Sequence, residues 1–203
     1  MLHYETIDSG TLELLKRIMS VPELANLRLV GGTSMALQVG HRKSVDLDLF
    51  GSIDLEPEEV VELISTCGSC SVLKRSRNIH VFIVDGIKVD IVNYKYPWLS
   101  PVKEMDGLRL ASLDDIAAMK LSAVTGRGTR KDFIDIYFLL EQFGMQEMMD
   151  YYMLKYADGS LFMVLKSLTY FEDAELDPEP HMLKSVDWNA LKSFITKEVA
   201  CLI

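Results

Sequence analysis

Two periodicities follow one another along this chain. Up to about residue 107, segments in which every second residue is apolar lie between short helical segments; Val45, Leu47 and Leu49, for example, alternate with two aspartates. Beyond Asp106-Gly107 the apolar residues recur at helical spacing. The patterns predict helices over 8–20, 33–39, 57–65, 112–125, 130–143 and from 187, and strands over 27–30, 45–50, 72–75, 80–84 and 87–92.

This order of elements predicts an α/β (α+β) fold. We expect a small mixed β-sheet core flanked by helices over residues 1–107, followed by a helical lobe over 108–203. The length of 203 residues suits one compact domain with an appended lobe.

Several features favour a cytoplasmic protein. No apolar run reaches the roughly 18 residues that a membrane span needs, so we expect no membrane partner. The N-terminal segment carries Glu5 and Asp8 and lacks a basic-then-apolar signal pattern. Three cysteines cannot form a disulfide framework, which agrees with a reducing compartment.

The charge is negative but unevenly distributed. The net charge of -9 argues against a general nucleic-acid coat protein. Residues 136–203 hold 5 Lys/Arg against 11 Asp/Glu, whereas residues 41–135 hold 13 against 15. The middle of the chain therefore allows a local basic surface, for which the candidates are His41-Arg42-Lys43 and Lys74-Arg75-Ser76-Arg77.

The segment Gly31-Gly32-Thr33-Ser34 is a candidate phosphate site. The glycines allow a ligand to approach the main chain closely, and they open a predicted helix whose N-terminal N–H groups favour phosphate. Thr33 and Ser34 add hydroxyl donors. A simple turn before a helix is the alternative explanation of the two glycines.

Three aspartates are candidate metal ligands. Asp46 and Asp48 are two residues apart on a predicted strand, so both carboxylates leave the same face and repel each other unless a cation joins them. Asp90 lies between Val89 and Ile91 in another predicted strand and completes the set if the two strands pair. Hard oxygen ligands suit Mg²⁺ or Mn²⁺, which also bind substrate phosphates. Taken singly, each aspartate could instead be a solvated strand residue.

A lysine and two aspartates mark the predicted helical lobe. Lys120 lies among apolar residues and either extends its ammonium group to solvent or reaches into a cleft. Asp132 follows Thr129 by three positions and could complete a capping box. Asp135 could pair with Lys131 on the same helix.

The chain resembles the nucleotidyltransferase toxins of the AbiEii/AbiGii type, within the DNA polymerase β-like nucleotidyltransferase superfamily. The similarity lies in LVGGTSMALQVGHRKSVDLDLF at 29–50, IKVDIV at 87–92 and LASLDDIAAMKLSAVTGRGTRKDFIDIYFLL at 110–140. It spans roughly 27–143, over half of the chain.

The resemblance implies roles for the residues of the predicted core. Gly32 and Ser34 would hold the nucleotide phosphates. Asp46 and Asp48 would bind the metal, with Asp90 as the third carboxylate and a candidate base.

The resemblance also assigns residues near and within the helical lobe. Lys120 would contact the triphosphate, and Asp132 would help to order the site. Arg42, Arg127 and Arg130 would be further phosphate contacts.

The predicted reaction is metal-dependent transfer of a nucleotidyl group from an NTP to a hydroxyl. By resemblance, the acceptor is RNA, with a tRNA 3′ end preferred, and the protein is the toxin of a toxin–antitoxin or phage-defence system with a cognate antitoxin. Two alternatives stay open: a small-molecule (antibiotic-type) or protein acceptor, and a non-catalytic nucleotide-binding module.

Overall fold

The computed structural model describes residues 1–202, which fall into two compact units. The first unit comprises Met1–Tyr96 and Pro101–Ala111, and the second comprises Pro97–Ser100 and the chain from Ser112 onward. The first unit therefore extends four residues beyond the predicted limit at 107.

The first unit contains a mixed seven-stranded sheet, which confirms the predicted α/β (α+β) fold class. The elements are α1 (Ser9–Met19), β1 (Arg28–Leu29), α2 (Gly31–Val39), β2 (Leu47–Gly51), α3 (Pro57–Thr66), β3 (Cys70–Arg75), β4 (Ile79–Val84), β5 (Ile87–Asn93), β6 (Lys103–Met105) and β7 (Leu108–Leu110), with short 3-10 helices at Tyr4–Thr6 and Pro22–Leu24. The strand order is β3-β4-β5-β2-β1-β7-β6, in which β2 pairs with β5 and β1 with β7 in parallel, while the other pairs are antiparallel.

One face of this sheet is the apolar core. Leu47 and Leu49 of β2 and Val89 and Ile91 of β5 are fully buried and cluster with apolar side chains of α1 and α3. Because side chains alternate along a strand, the polar residues between them lie on the other face. β2 begins two residues later than predicted, so that Val45 lies outside the strand and is 57% exposed.

The hairpin β6–β7 is not among the elements predicted from the sequence. Its turn, Asp106-Gly107, has positive φ angles of 53° and 77°, close to the 50° and 83° of the predicted hairpin turn Asp85-Gly86. β7 also pairs with β1 through Leu29 and Leu110, which places residues 108–110 in the sheet rather than in the helical lobe. The strands are only three residues long, too short to show a clear alternation.

The second unit is helical, as predicted. The helices are α4 (Leu113–Val124), α5 (Arg130–Leu140), α6 (Met145–Lys155), α7 (Leu161–Leu168), α8 (Glu172–Glu175) and α9 (Trp188–Ala200). The central helix, α4, packs against α5, α6 and α7, and α9 packs against α5 and α7. Among residues 1–202, no helix is both long and apolar enough to cross a bilayer.

A buried ion pair fixes the segment Pro97–Ser100 to these helices. Lys155 Nζ lies 2.6 Å from Asp115 Oδ1, and both side chains are inaccessible to solvent. The same ammonium group donates to the Pro97 carbonyl at 2.7 Å, and Asp115 accepts from the Leu99 amide at 3.0 Å. These hydrogen bonds satisfy both buried charges, which is the condition for retaining such a pair in an interior.

Candidate active site

Gly31 brings the backbone of α2 against the carboxylate of Asp48. Its φ is +66°, and a Cβ atom at this position would lie 2.4 Å from Asp48 Oδ2. The backbone conformation and the close approach of the Asp48 carboxylate therefore both exclude a side chain at position 31. The Val30 amide donates to the Asp48 carbonyl at 2.8 Å. The glycines form the first turn of α2, which begins two residues earlier than the helix predicted over 33–39.

Gly32 has a similar relation to a buried arginine. A Cβ atom on Gly32 would lie 2.3 Å from Arg42 Nη2. Arg42 is only 4% exposed, and its Nη1 donates to the Lys43 carbonyl at 2.9 Å. The guanidinium group thus lies against the first turn of a helix whose N-cap residue, Val30, has no side-chain acceptor. A cation beside the N-terminal turn of a helix is a suitable environment for an anion.

The hydroxyls of Thr33 and Ser34 are engaged inside the protein. Thr33 is buried; its Oγ1 lies 2.8 Å from Ser44 Oγ and donates to the Asp46 carbonyl. Ser34 is fully buried, with Gln38 Nε2 3.3 Å from its Oγ. Both hydroxyls therefore stabilise the surroundings of the helix start, and direct contact with a nucleotide stays a prediction for both.

Asp48 and Asp90 are register partners on neighbouring parallel strands. Both lie on the partly exposed face of the sheet, and adjacent strands are about 4.8 Å apart. Asp90 Oδ1 is buried and has no hydrogen-bond partner among residues 1–202. The pairing that the metal hypothesis required of these two aspartates is thus present.

Lys88 is a residue of this site that the sequence analysis missed. Its Nζ lies 2.7 Å from Asp90 Oδ2. Lys88 and Asp90 are two residues apart on one strand and therefore share a face. This spacing is visible in the sequence and would have predicted that Lys88 lies beside Asp90. The lysine offsets part of the repulsion between the carboxylates of Asp48 and Asp90.

Asp46 is placed differently from the other two aspartates. It precedes β2, is partly exposed, and is held through its backbone carbonyl by Thr33. Within the described part of the chain, no three His, Cys, Asp or Glu side chains are grouped so that they could hold a metal ion. The predicted three-carboxylate cluster is therefore not assembled in this structure.

The residues present nonetheless fit a hard divalent cation. Mg²⁺ is usually held by one or two carboxylates, with water and substrate phosphates as the remaining ligands. Asp48 and Asp90 supply two carboxylates, and the buried Asp90 Oδ1 has no hydrogen-bond partner among residues 1–202. The donor set consists of oxygen atoms, which suits Mg²⁺ or Mn²⁺.

The second unit contains the predicted lysine in a buried ionic cluster. Lys120 Nζ lies 2.9 Å from Asp132 Oδ1 and 2.6 Å from Asp135 Oδ2. Lys120 is 5% exposed, and both aspartates are fully buried. The lysine therefore does not extend to solvent, and Asp135 pairs with Lys120 instead of Lys131, the alternative partner on its own helix.

Charge and hydrogen bonding keep Asp132 ionised. Burial, the largest influence, raises its pKa, but the charges of Lys120 and Arg127 and the hydrogen bonds from Thr129 and Lys120 together lower it below the ordinary value. Arg127 Nε lies 3.2 Å from Asp132 Oδ2, while 62% of the arginine side chain is exposed.

Arg130 is engaged with aromatic and backbone contacts. Its guanidinium group lies 4.8 Å from the centre of the Trp188 ring, a cation–π distance. Its amide donates to Asp177 Oδ2 at 2.9 Å. That Lys120, Asp132, Arg127 and Arg130 serve a nucleotide site stays a prediction.

The chain is similar to known proteins along most of its length. Residues 13–199 match the family model described as nucleotidyl transferase AbiEii toxin, type IV TA system. An uncharacterised protein of Aquifex aeolicus strain VF5 is 33% identical over 201 residues, which cover 92% of this chain and 93% of that protein.

Two solved structures share the fold at low sequence identity. The nucleotidyltransferase toxin MenT4 of Mycobacterium tuberculosis superposes with a TM-score of 0.64 and 15% identity, covering 94% of this chain and 80% of MenT4. The protein JHP933 of Helicobacter pylori gives a TM-score of 0.57 and 15% identity, covering 97% of this chain and 93% of JHP933.

A methyl group at Gly31 is expected to abolish nucleotide binding. Gly31→Ala combines a strained φ with displacement of the Asp48 carboxylate, whereas Gly107→Ala, at φ +77° with nothing within 4 Å, adds the strain alone. Gly107→Ala should lose about 1–2 kcal/mol of stability, and Gly31→Ala should lose more because the Asp48 carboxylate must also move. Calorimetric titration with NTP should show loss of binding for Gly31→Ala alone; equal NTP affinities in the two variants would contradict this account of the site.

Removal of Lys120 is expected to destabilise the protein strongly. Lys120→Ala leaves two fully buried carboxylates without their shared cation, which typically costs about 3–5 kcal/mol. Urea unfolding measures the loss, with Lys131→Ala, an exposed lysine of the same region, as the control. A loss no larger than that of the control would show that the cluster does not stabilise the fold.

Proposed function

Since the chain belongs to the AbiEii nucleotidyltransferase toxin family, we propose that it transfers a nucleotidyl group from an NTP to a hydroxyl of RNA, with a tRNA 3′ end as the acceptor. The observation that carries this proposal is the pairing of Asp48 with Asp90 beside the glycine start of α2. Phosphoryl transfer requires carboxylates next to an anion-binding site, because charge must be stabilised on both sides of the reacting phosphorus.

The start of α2 binds the triphosphate in this proposal. Gly31 and Gly32 leave the main chain accessible, and the Arg42 guanidinium lies against Gly32. The helix N–H groups and the guanidinium group offset the negative charge of the phosphates. A buried arginine loses little freedom on binding, so its position favours affinity.

Asp48 and Asp90 handle the reacting groups. When bound to them, a divalent cation would neutralise phosphate charge and favour ionisation of the attacking hydroxyl. The acceptor oxygen forms a bond to the α-phosphorus, the bond to the departing pyrophosphate breaks, and Asp90 Oδ1 accepts the proton of the hydroxyl. This buried oxygen has no hydrogen-bond partner within residues 1–202, so its capacity to accept a proton is unused.

The same family membership supports the biological role. We propose that the protein acts in the cytoplasm as the toxin of a toxin–antitoxin or phage-defence system and has a cognate antitoxin. Modification of an acceptor tRNA would stop translation, which accounts for toxicity without further machinery.

A transfer assay tests the reaction and the acceptor together. The protein is incubated with each of the four NTPs, labelled at the α-phosphate, with Mg²⁺ and with total cellular RNA, protein or small alcohols as acceptors. We expect label in RNA of tRNA size and none in EDTA. Label in protein or in small alcohols would contradict the RNA acceptor, and NTP binding without transfer would support a non-catalytic module.

Nucleotide binding is expected to depend on metal. Asp48 and Asp90 should repel a bare triphosphate, since Lys88 offsets only part of their charge. Titration calorimetry of each NTP with Mg²⁺ should therefore give measurable affinity that is lost in EDTA. Equal affinity under the two conditions would contradict a metal-dependent site.

Asp48→Asn is expected to abolish transfer without unfolding the protein. Asparagine keeps the size of the side chain but removes the negative charge, and the loss of one stabilising group of this kind costs at least roughly 10²-fold in rate. Melting temperature and transfer rate are measured for this variant and for Asp54→Asn, which changes an exposed aspartate of the same unit. A folded Asp48→Asn protein with near-normal transfer would reject the mechanism.

A further inference from the structure

One row of residues crosses the sheet from its free edge to the paired aspartates. Lys74 of β3 is the register partner of Val81, Val81 is the partner of Asp90, and Asp90 is the partner of Asp48. Residues that are neighbours in such a row have their side chains on the same face. Lys74 therefore lies on the same face as both aspartates. Its backbone is two strand spacings, or roughly 10 Å, from that of Asp90.

The neighbouring arginine lies on the opposite face. Arg75 is the register partner of His80, which is buried on the core side of the sheet. Its Nη1 lies 3.2 Å from Glu58 Oε1 in α3, and α3 packs on that side. The basic run that the sequence presents as one surface is thus divided between the two faces, with Lys74 on the side of the aspartates.

Lys88 places a second cation on that face. It lies two residues before Asp90 on β5, and its ammonium group contacts the Asp90 carboxylate at 2.7 Å. Positive charge therefore occurs both at the sheet edge and beside the reacting groups. The other basic segment that the sequence suggested, His41-Arg42-Lys43, contributes less surface because His41 and Arg42 are buried.

The edge itself is unsuited to pairing with another strand. β3 is the last strand of the sheet, and a register shift between Val72 and Lys74 interrupts its ladder. Bulges and lysines at a strand edge oppose the addition of a further strand. A flexible polyanion has no need of a regular ladder, and its phosphates suit exposed ammonium groups.

We propose that Lys74 and Lys88 form an acceptor track, in which the single-stranded end of the acceptor RNA crosses the edge at β3 and its backbone phosphates contact these lysines on the way to Asp90. The track rests on the proposed function, because it takes RNA as the acceptor. Beyond the proposed function, the track specifies that the acceptor enters across β3. It also specifies that Lys74 binds the RNA backbone at a distance from the reacting terminus.

The pair Lys74→Ser and Arg75→Ser tests the track. The two variants remove the same charge from adjacent positions but from opposite faces of the sheet. Fluorescence anisotropy measures the affinity of each full-length protein for a labelled tRNA over a series of salt concentrations, and steady-state kinetics gives the KM values for RNA and NTP. Lys88 is left unchanged because it contacts Asp90.

We expect Lys74→Ser to weaken RNA binding several-fold and to raise the KM for RNA while the KM for NTP stays unchanged. The slope of log affinity against log salt should fall in magnitude by about 0.7, the value for one phosphate contact to a single strand. Arg75→Ser should retain the wild-type slope. Equal slopes in both variants, with RNA bound by the wild-type protein, would overturn the track alone. No RNA binding by the wild-type protein would overturn the track and the RNA acceptor together.

Discussion

The approach of the Asp48 carboxylate to the backbone at Gly31 is the contact on which the candidate site depends. A side chain at position 31 would meet this carboxylate at 2.4 Å, and the positive φ there is itself unfavourable for other residues. The contact fixes the start of α2 beside β2. It therefore determines that an anion-binding helix terminus and a reactive carboxylate lie next to each other.

Cationic side chains near the site offset the negative charge of the paired aspartates. Lys88 contacts Asp90, and Arg42 lies against Gly32. In the second unit, Lys120 and Lys155 are each buried with carboxylates and stabilise the packing of helices.

The local features of the sequence predicted much of the fold and part of the site. The alternation around Leu47 and Leu49 correctly assigned Asp48 to the polar face of its strand, and the Asp85-Gly86 pair correctly marked a hairpin. The expectations that failed depend on partners distant in the chain. The pairing of Lys120 with Asp132 and Asp135 required the packing of α4 against α5. Alternation along the strand separates Lys74 from Arg75, but which of the two shares the face of the aspartates depends on the register with β4, which no local pattern specifies.

The structure of the protein with Mn²⁺ and a non-hydrolysable NTP analogue would show where the metal and the phosphates bind. Anomalous scattering would locate the manganese, and the account predicts a peak in contact with the carboxylates of Asp48 and Asp90. The phosphates should lie at the first turn of α2, against Gly31 and Gly32 and beside the Arg42 guanidinium group. Phosphates bound elsewhere, or manganese bound away from both aspartates, would contradict the assignment of this site.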